Sequence, residues 1–272
     1  MAFKDQYFNE SANRRIQDLG FLHQWLAEEL KADKTTGLIL DYGCGTGELV
    51  QLLQEELPRR RVFGIDINDL LIQDARTRYP SIANQLVTSI NQLPGQGRQT
   101  ISIVIFNFSL MFMRPFEKTI LDLLKQLKIG SKIVVINPFP GERSRMHKLL
   151  DDEFYARVED AKISPEHRIL REQLNDSIDE RSFDPNSTEK FFSINGFQRN
   201  RLIKAVEVKT YLIAESHKYY EILYDQLFLS EQERENISAR LGGVISRETV
   251  NSNPDNIEFK SPLYILELTK RK

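Results

Sequence analysis

The stretch Gly37-Leu38-Ile39-Leu40-Asp41-Tyr42-Gly43-Cys44-Gly45-Thr46-Gly47 restricts the fold of this chain more than any other. A short apolar run ends in a carboxylate and breaks at once into a turn in which every second residue is glycine. Runs of that length bounded by turn residues read as buried strands. Glycine lets the backbone adopt φ > 0 and approach a ligand closely. Leu49-Val50-Gln51-Leu52-Leu53 then reads as a helix, and Arg61-Val62-Phe63-Gly64-Ile65-Asp66 as a second strand that also ends in a carboxylate. Strand, glycine turn, helix and second strand open an α/β sheet whose ligands bind outside the carboxyl ends of the strands.

The rhythm continues through residue 138. A helix from Asp69 stops before Pro80, a weak third strand covers Gln85 to Thr88, and Ile101 to Phe106 is a fourth. Pro115 suits the first turn of a helix that runs to about Lys128, with Phe116, Ile120, Leu124 and Leu127 on one face and Gly130 at its end. Lys132 to Ile136 is a fifth strand. Several of these strands are apolar on both faces, as in a parallel sheet covered on both sides. The fold class is therefore α/β, a doubly wound, mostly parallel sheet. Ahead of it, Leu19, Leu22, Leu26 and Leu30 recur at helical spacing and predict an amphipathic helix over about 9–31, with His23 at its surface.

Beyond Pro138 the pattern changes. Residues 142–177 are rich in charge and helix formers, with Pro165 at a helix start. Residues 178–188 read as a loop, Asn186 and Glu189 as a capping box, and Gly196 as a helix end. Arg201 to Tyr211 suits a strand. Residues 212–242 look helical, with Ser230 and Glu233 as a second capping pair, and Leu263 to Leu268 is the last strand. Two strands added to five make a seven-stranded sheet, the last two forming an antiparallel edge. The organisation expected is one domain over 1–272: an N-terminal helical cap (1–35), a cofactor-binding core (36–138), a helical lid insertion (139–198), and a final segment (199–272) with a second helical excursion.

Composition narrows the function. The 272 residues carry 37 basic and 39 acidic side chains, a net charge of −2. A nucleic-acid-binding chain usually carries a basic excess, so no nucleic-acid partner is expected. No run of 18 apolar residues exists, so no membrane span is expected either. Cys44 is the one cysteine, which excludes an intramolecular disulfide and fits a reducing compartment. The first residues lack the apolar stretch of a secretory signal, and the expected location is cytoplasmic.

The chemistry resides at the glycine turn. A carboxylate at the end of the second strand is placed to accept the ribose hydroxyls of an adenosine. The dinucleotide fingerprint, Gly-x-Gly-x-x-Gly, is not met, because the third glycine comes one residue early and Glu48 follows it. Asp41 and Glu48 would oppose a pyrophosphate and favour a cation. S-adenosylmethionine, which carries a sulfonium and an ammonium and no phosphate, fits that charge pattern better than NAD.

Leu38 to Val50 resembles motif I of the class I S-adenosylmethionine-dependent methyltransferases. Phe63-Gly64-Ile65-Asp66-Ile67 is similar to their second motif, and Ile103 to Asn107 with Leu110-Met111 to their fourth-strand motif. Leu124 to Ile136 and Asn186 to Phe197 resemble later segments in the same order. The resemblance implies a Rossmann-like methyltransferase fold with helical lid insertions. It implies that Gly43, Cys44 and Gly45 line the methionine portion, with Asp41 near its ammonium. Asp66 would hold the ribose, Ile67 would pack on the adenine, and Asn107 and Phe108 would border methionine and substrate. After strand three the family often carries Asp-Ala, bonding the adenine amino group. Here the pair is Ser89-Ile90, where the Ser89 hydroxyl or the Ile90 backbone takes that place.

The expected activity is methyl transfer by in-line displacement to a small molecule, a carboxyl or hydroxyl oxygen first, leaving S-adenosylhomocysteine. Proximity and orientation alone supply about 7–11 kcal/mol to such a step. A carboxylate acceptor needs no base; a hydroxyl or amine does, and His147 is the candidate. Tyr7, Met111, Arg143 and Tyr155 are candidate substrate contacts. The alternatives are an RNA or protein methyltransferase and a non-catalytic cofactor-binding partner subunit. No cluster has metal-ligand spacing, so no metal is expected. Oligomeric state is not legible.

Overall fold

A computed structural model describes residues 22–93, 101–139, 145–160, 165–212, 220, 229–249 and 256–272. The described residues fall into two compact units. One holds those of 1–139, 176–204 and 264–272, and the other those of 140–175 and 205–263.

The sheet has seven strands: β1 (Leu38–Tyr42), β2 (Arg61–Ile65), β3 (Leu86–Val87), β4 (Ile101–Asn107), β5 (Lys132–Pro138), β6 (Phe197–Leu212) and β7 (Asn256–Lys270); the first unit holds β1 to β5, the start of β6 and the end of β7. They lie in the order β3-β2-β1-β4-β5-β7-β6. The pairs β1–β2, β1–β4, β2–β3 and β4–β5 are parallel. The end of β7 lies against the starts of β5 and β6. Lys270 donates its N–H to Ser131 O at 2.8 Å, and Arg271 donates to Gly196 O at 2.8 Å. β7 therefore runs opposite to both neighbours, the antiparallel edge that the two late strands predict. The chain order reverses between β1 and β4, and in such sheets ligands bind outside the carboxyl ends of the strands at that point.

Side chains alternate across the strands. Leu38 and Leu40 of β1, Val104 and Phe106 of β4, and Ile133 and Val135 of β5 belong to one core. Phe116, Ile120 and Leu124 of α4 (Phe116–Gln126) and Phe191 and Phe192 of α7 (Pro185–Ile194) fill it from the helix side. Ile39 and Asp41 occupy the other face of β1. Helix α1 (residues 22–32) buries Leu26, Ala27 and Leu30, and α2 (Glu48–Glu56) buries Leu49, Val50 and Leu53. Helix α3 (Asp69–Arg78) is capped by Asn68, whose side chain accepts from Leu70 N at 3.1 Å.

Several boundaries differ from the sequence reading. Of the helix expected over 9–31, the described part begins at residue 22. Pro115 is the cap ahead of α4 and not its first-turn residue. The stretch read as a loop over 178–188 contains a 3-10 turn (Glu180–Phe183) and the start of α7. Asp184 caps α7, accepting from Asn186 N and Ser187 N at 3.0 and 3.1 Å, so Asn186 and Glu189 form no capping box. The signal was present: Asp before Pro is a strong cap followed by a preferred first helical residue.

The second unit contains α5 (Arg145–Asp160), all but the end of α6 (Pro165–Ser177), and α8 (Glu231–Thr249). Its apolar cluster joins Leu150 and Phe154 of α5 to Ile237, Leu241 and Ile245 of α8, around Tyr220. The Tyr220 ring stacks on Phe154 at 4.6 Å, and its hydroxyl donates to Asp151 Oδ1 at 3.0 Å. Ser230 and Glu233 form the expected reciprocal cap of α8.

Candidate functional site

The turn after β1 is held by its neighbours on the sheet. Gly43 N and Cys44 N both donate to Ile65 O of β2, at 2.7 and 2.9 Å. Gly43 has φ +82°, and a Cβ there would stand 2.4 Å from Ser109 Cβ, so no other residue fits. Ser109 in turn donates its hydroxyl to Tyr42 O at 2.5 Å, which ties the segment after β4 to the end of β1. Gly45 also has positive φ, but a Cβ there would meet nothing within 4 Å. Its N–H donates to Asp66 Oδ2 at 3.0 Å, while Asn68 N donates to Asp66 Oδ1 at 2.9 Å. Asp66 therefore fixes the turn and the start of α3 at once. It stays half-buried, and each oxygen keeps a lone pair for another donor.

The Cys44 side chain is buried. A Cβ at Gly64 would lie 2.7 Å from its Sγ, so the thiol packs down against β2. Burial first, then Asp41 and Asp66, push the thiol up, and it stays protonated. Only its backbone belongs to the rim of the turn.

The electrostatics of the site are negative and incomplete. Asp41 is 1% exposed, and its Oδ1 has no hydrogen-bond partner. Burial, then the charges of Asp66 and Glu48, push its carboxyl up to about 8. Burial also raises Glu48 and Asp66. Glu48 holds Thr46 Oγ1 at 2.8 Å, and backbone N–H groups partly offset the shift of Asp66. At the end of β4, Asn107 Oδ1 is likewise buried and unpartnered. Ile67, next to Asp66, is 88% exposed. Buried oxygens without donors are costly unless a ligand supplies them. Two such oxygens, a half-open carboxylate and a bare apolar side chain fit a cationic adenosine cofactor. A pyrophosphate would meet Asp41 and Glu48 instead.

The remaining predicted residues are spread more widely. Ser89 accepts from Asn91 N at 3.3 Å as the cap of a short 3-10 turn (Ile90–Gln92), and its hydroxyl proton is not used there. Ile90 is partly buried against the core of the sheet. Phe108 has φ +52°, the one non-glycine residue with positive φ among the described residues, and its N–H donates to Ile136 O at 2.8 Å. Met111 is 7% exposed, and its carbonyl accepts from Asp179 N at 2.7 Å. Tyr155 is about half exposed on α5, in the second unit. His147 lies on α5 too, and its side chain is outside the described residues, as are Tyr7 and Arg143. Among the described residues no group of three or more His, Cys, Asp or Glu can hold a metal ion.

One site residue runs against its expected place. His23 is not at the surface: it is 7% exposed, and its Nε2 lies 2.8 Å from Asn107 Nδ2. Burial pushes its pKa down to about 4, so the ring is neutral at physiological pH. The signal was in the periodicity. His23 precedes Leu26, Ala27 and Leu30 by three, four and seven residues, which places it on the buried stripe.

Comparison with known proteins fits this geometry. A family model described as a methyltransferase domain matches residues 33–225, well over half of the chain. The chain belongs to the methyltransferase-domain family. Among curated relatives of this methyltransferase domain, the malonyl-[acyl-carrier protein] O-methyltransferase of Acetivibrio thermocellus is 32% identical over 139 residues. That match covers 47% of this chain and 49% of the relative. The ubiquinone/menaquinone biosynthesis C-methyltransferase UbiE of Desulfotalea psychrophila is 25% identical over 126 residues, 46% of this chain and 50% of the relative. The chain thus spans about half the length of these curated relatives. Among solved structures, YcgJ of Bacillus subtilis shares the fold with a TM-score of 0.53 at 13% identity, covering 93% of this chain and 99% of that one. Among the described residues no helix is long and apolar enough to cross a membrane.

Proposed function

We propose that this chain is an S-adenosylmethionine-dependent methyltransferase acting on a small-molecule acceptor, a carboxyl or hydroxyl oxygen first. The observation that carries this reading is Asp41. It is buried, its Oδ1 is unpartnered, and its carboxyl is pushed up to about 8 beside two more carboxylates. A buried acid without a donor is an unsatisfied group until a cation reaches it. S-adenosylmethionine would supply an ammonium for that oxygen and a methyl group already activated on a sulfonium.

The chain's own part is to bind, orient and desolvate. Asp66 accepts the ribose hydroxyls on the lone pairs that Gly45 and Asn68 leave free. Ile67 covers one face of the adenine, and the Ser89 hydroxyl or the Ile90 backbone serves its amino group. Gly43, the Cys44 backbone and Gly45 carry the methionine portion past the end of β1, and Asn107 and Phe108 border it from the end of β4. In this reading the part that selects the acceptor includes residues 139–198, with His147 as the base where the acceptor carries a proton, and Tyr7, Arg143 and Tyr155 as acceptor contacts. Met111 is a further acceptor contact in this reading. The names of the two curated relatives, an O- and a C-methyltransferase, support methyl transfer and leave the acceptor atom to experiment.

Calorimetric titration with S-adenosylmethionine, S-adenosylhomocysteine and NAD tests the proposal. Micromolar binding of the first two and none of the third is expected. Small acids, phenols and amines would then be screened for methyl acceptance. Binding of NAD alone would overturn the reading of the early third glycine and the reaction with it.

A further inference from the structure

Helix α1 brings to the end of β4 a side chain that the proposed reaction does not otherwise use. His23 Nε2 lies 2.8 Å from Asn107 Nδ2. An amide nitrogen only donates, so Nε2 accepts and the ring proton sits on Nδ1. Burial favours that neutral ring. The opposite pairing, Nε2–H to Oδ1, would turn the amide over and consume its oxygen. As it stands, that oxygen is left over: Asn107 Oδ1 is buried and meets no donor.

Asp41 sits in register with Ile105 of β4, two residues before Asn107. Asp41 and Asn107 therefore extend from the same face of the sheet on adjacent strands. Each contributes one buried oxygen without a partner. Two acceptors on one face match a group with several N–H donors, such as an ammonium.

We propose that His23 is a positioning residue: by accepting the Asn107 amide N–H it holds that amide with Oδ1 presented to the ammonium of the bound cofactor. The role rests on the S-adenosylmethionine reading and adds to it the residue that sets the direction of the amide. A leucine at position 23 would fill the space and leave the amide free to turn. A glutamine would keep an acceptor.

The test uses the full chain and two readouts. Imidazole 15N chemical shifts report the tautomer without any ligand. The Nδ1–H form is expected, with the Nε2 shift moving in Asn107→Ala. Calorimetry with S-adenosylhomocysteine then reads the ligand role. H23L should weaken binding by about 3- to 10-fold, the range of one ordinary hydrogen bond, and H23Q should recover most of it. Should H23L fail to fold, the tautomer and the H23Q affinity still decide, since H23Q must bind within about threefold of wild type. An Nε2–H tautomer, or an H23L variant with wild-type affinity, overturns the proposal and leaves the cofactor site intact. An Nδ1–H tautomer in a wild-type protein that binds neither S-adenosylmethionine nor its product would overturn the cofactor reading itself, and the ligand role of His23 with it.

Discussion

Replacing Asp41 by Asn removes an ionisable group from a place where burial, Asp66 and Glu48 push its pKa from 3.8 up to about 8. Between those values the folded chain holds a proton that the unfolded chain has released. Stability therefore falls as pH rises through that window. At 1.36 kcal/mol per unit, Asp41 alone removes about 4 kcal/mol of stability between pH 5 and pH 8. Asp41→Asn keeps the shape and cannot ionise, so it should lack that share of the slope and be the more stable protein at pH 8. Urea unfolding of both proteins at pH 5, 6, 7 and 8 measures the difference. The shifts of Glu48 and Asp66 are common to both and cancel. The same group governs binding: a cationic cofactor favours the charged carboxylate, so its binding releases about one proton and tightens by up to ~10-fold from pH 6.5 to 7.5. The calorimetric enthalpy should then depend on the ionisation enthalpy of the buffer, and Asp41→Asn should bind far more weakly. Equal pH slopes in the two proteins, with a buffer-independent enthalpy, would refute the reasoning.

Three further outcomes are expected. Asp66→Ala should weaken cofactor binding by about 1.5–3 kcal/mol, the range for hydrogen bonds to a charged group, and calorimetry reads it; an unchanged affinity would remove Asp66 from the site. Gly43→Ala should cost about 2–4 kcal/mol in unfolding experiments, from positive φ and the 2.4 Å approach to Ser109 Cβ. Adding Ser109→Gly should recover part of that loss, and no recovery would place the strain elsewhere. The Cys44 thiol should resist alkylation in the native protein and react once it is unfolded, because it is buried and protonated. Cys44→Ala should keep its cofactor affinity within about threefold, less than one hydrogen bond is worth.

Much of the first unit was legible because local signals and tertiary packing agree there. Leu38 to Leu40 and Ile101 to Phe106 are apolar on both faces, and both are central strands covered on both sides. The glycine turn, Asp41 and Asp66 could be placed by spacing alone, since each ends a strand. Residues whose role depends on a distant partner were not legible in the same way. The Cys44 thiol is seated by Gly64, and nothing local says that it points away from the rim. His23 owes its burial to α1 lying on the sheet and its partner to a residue 84 positions away. Asp184 is the reverse case: its cap is written in the sequence, inside a polar stretch that reads as a loop.

The two ends of the sheet in the first unit differ in how their polar groups are satisfied. At the amino ends of β5 and β6, the backbone closes on itself through Gly130–Lys270, Lys270–Ser131 and Arg271–Gly196 bonds. Lys270 Nζ also donates to Leu124 O and Leu127 O at the end of α4, each at 2.8 Å. At the carboxyl ends of β1, β2 and β4 the local rules are broken together. Asp41 and Asn107 keep buried oxygens without donors, Phe108 holds a positive φ, and Ile67 stands bare. Each exception costs stability, and nothing in the fold requires them to share one edge. A cationic, adenosine-bearing ligand bound as proposed would answer three of the four: donors for the two oxygens and a planar surface for Ile67.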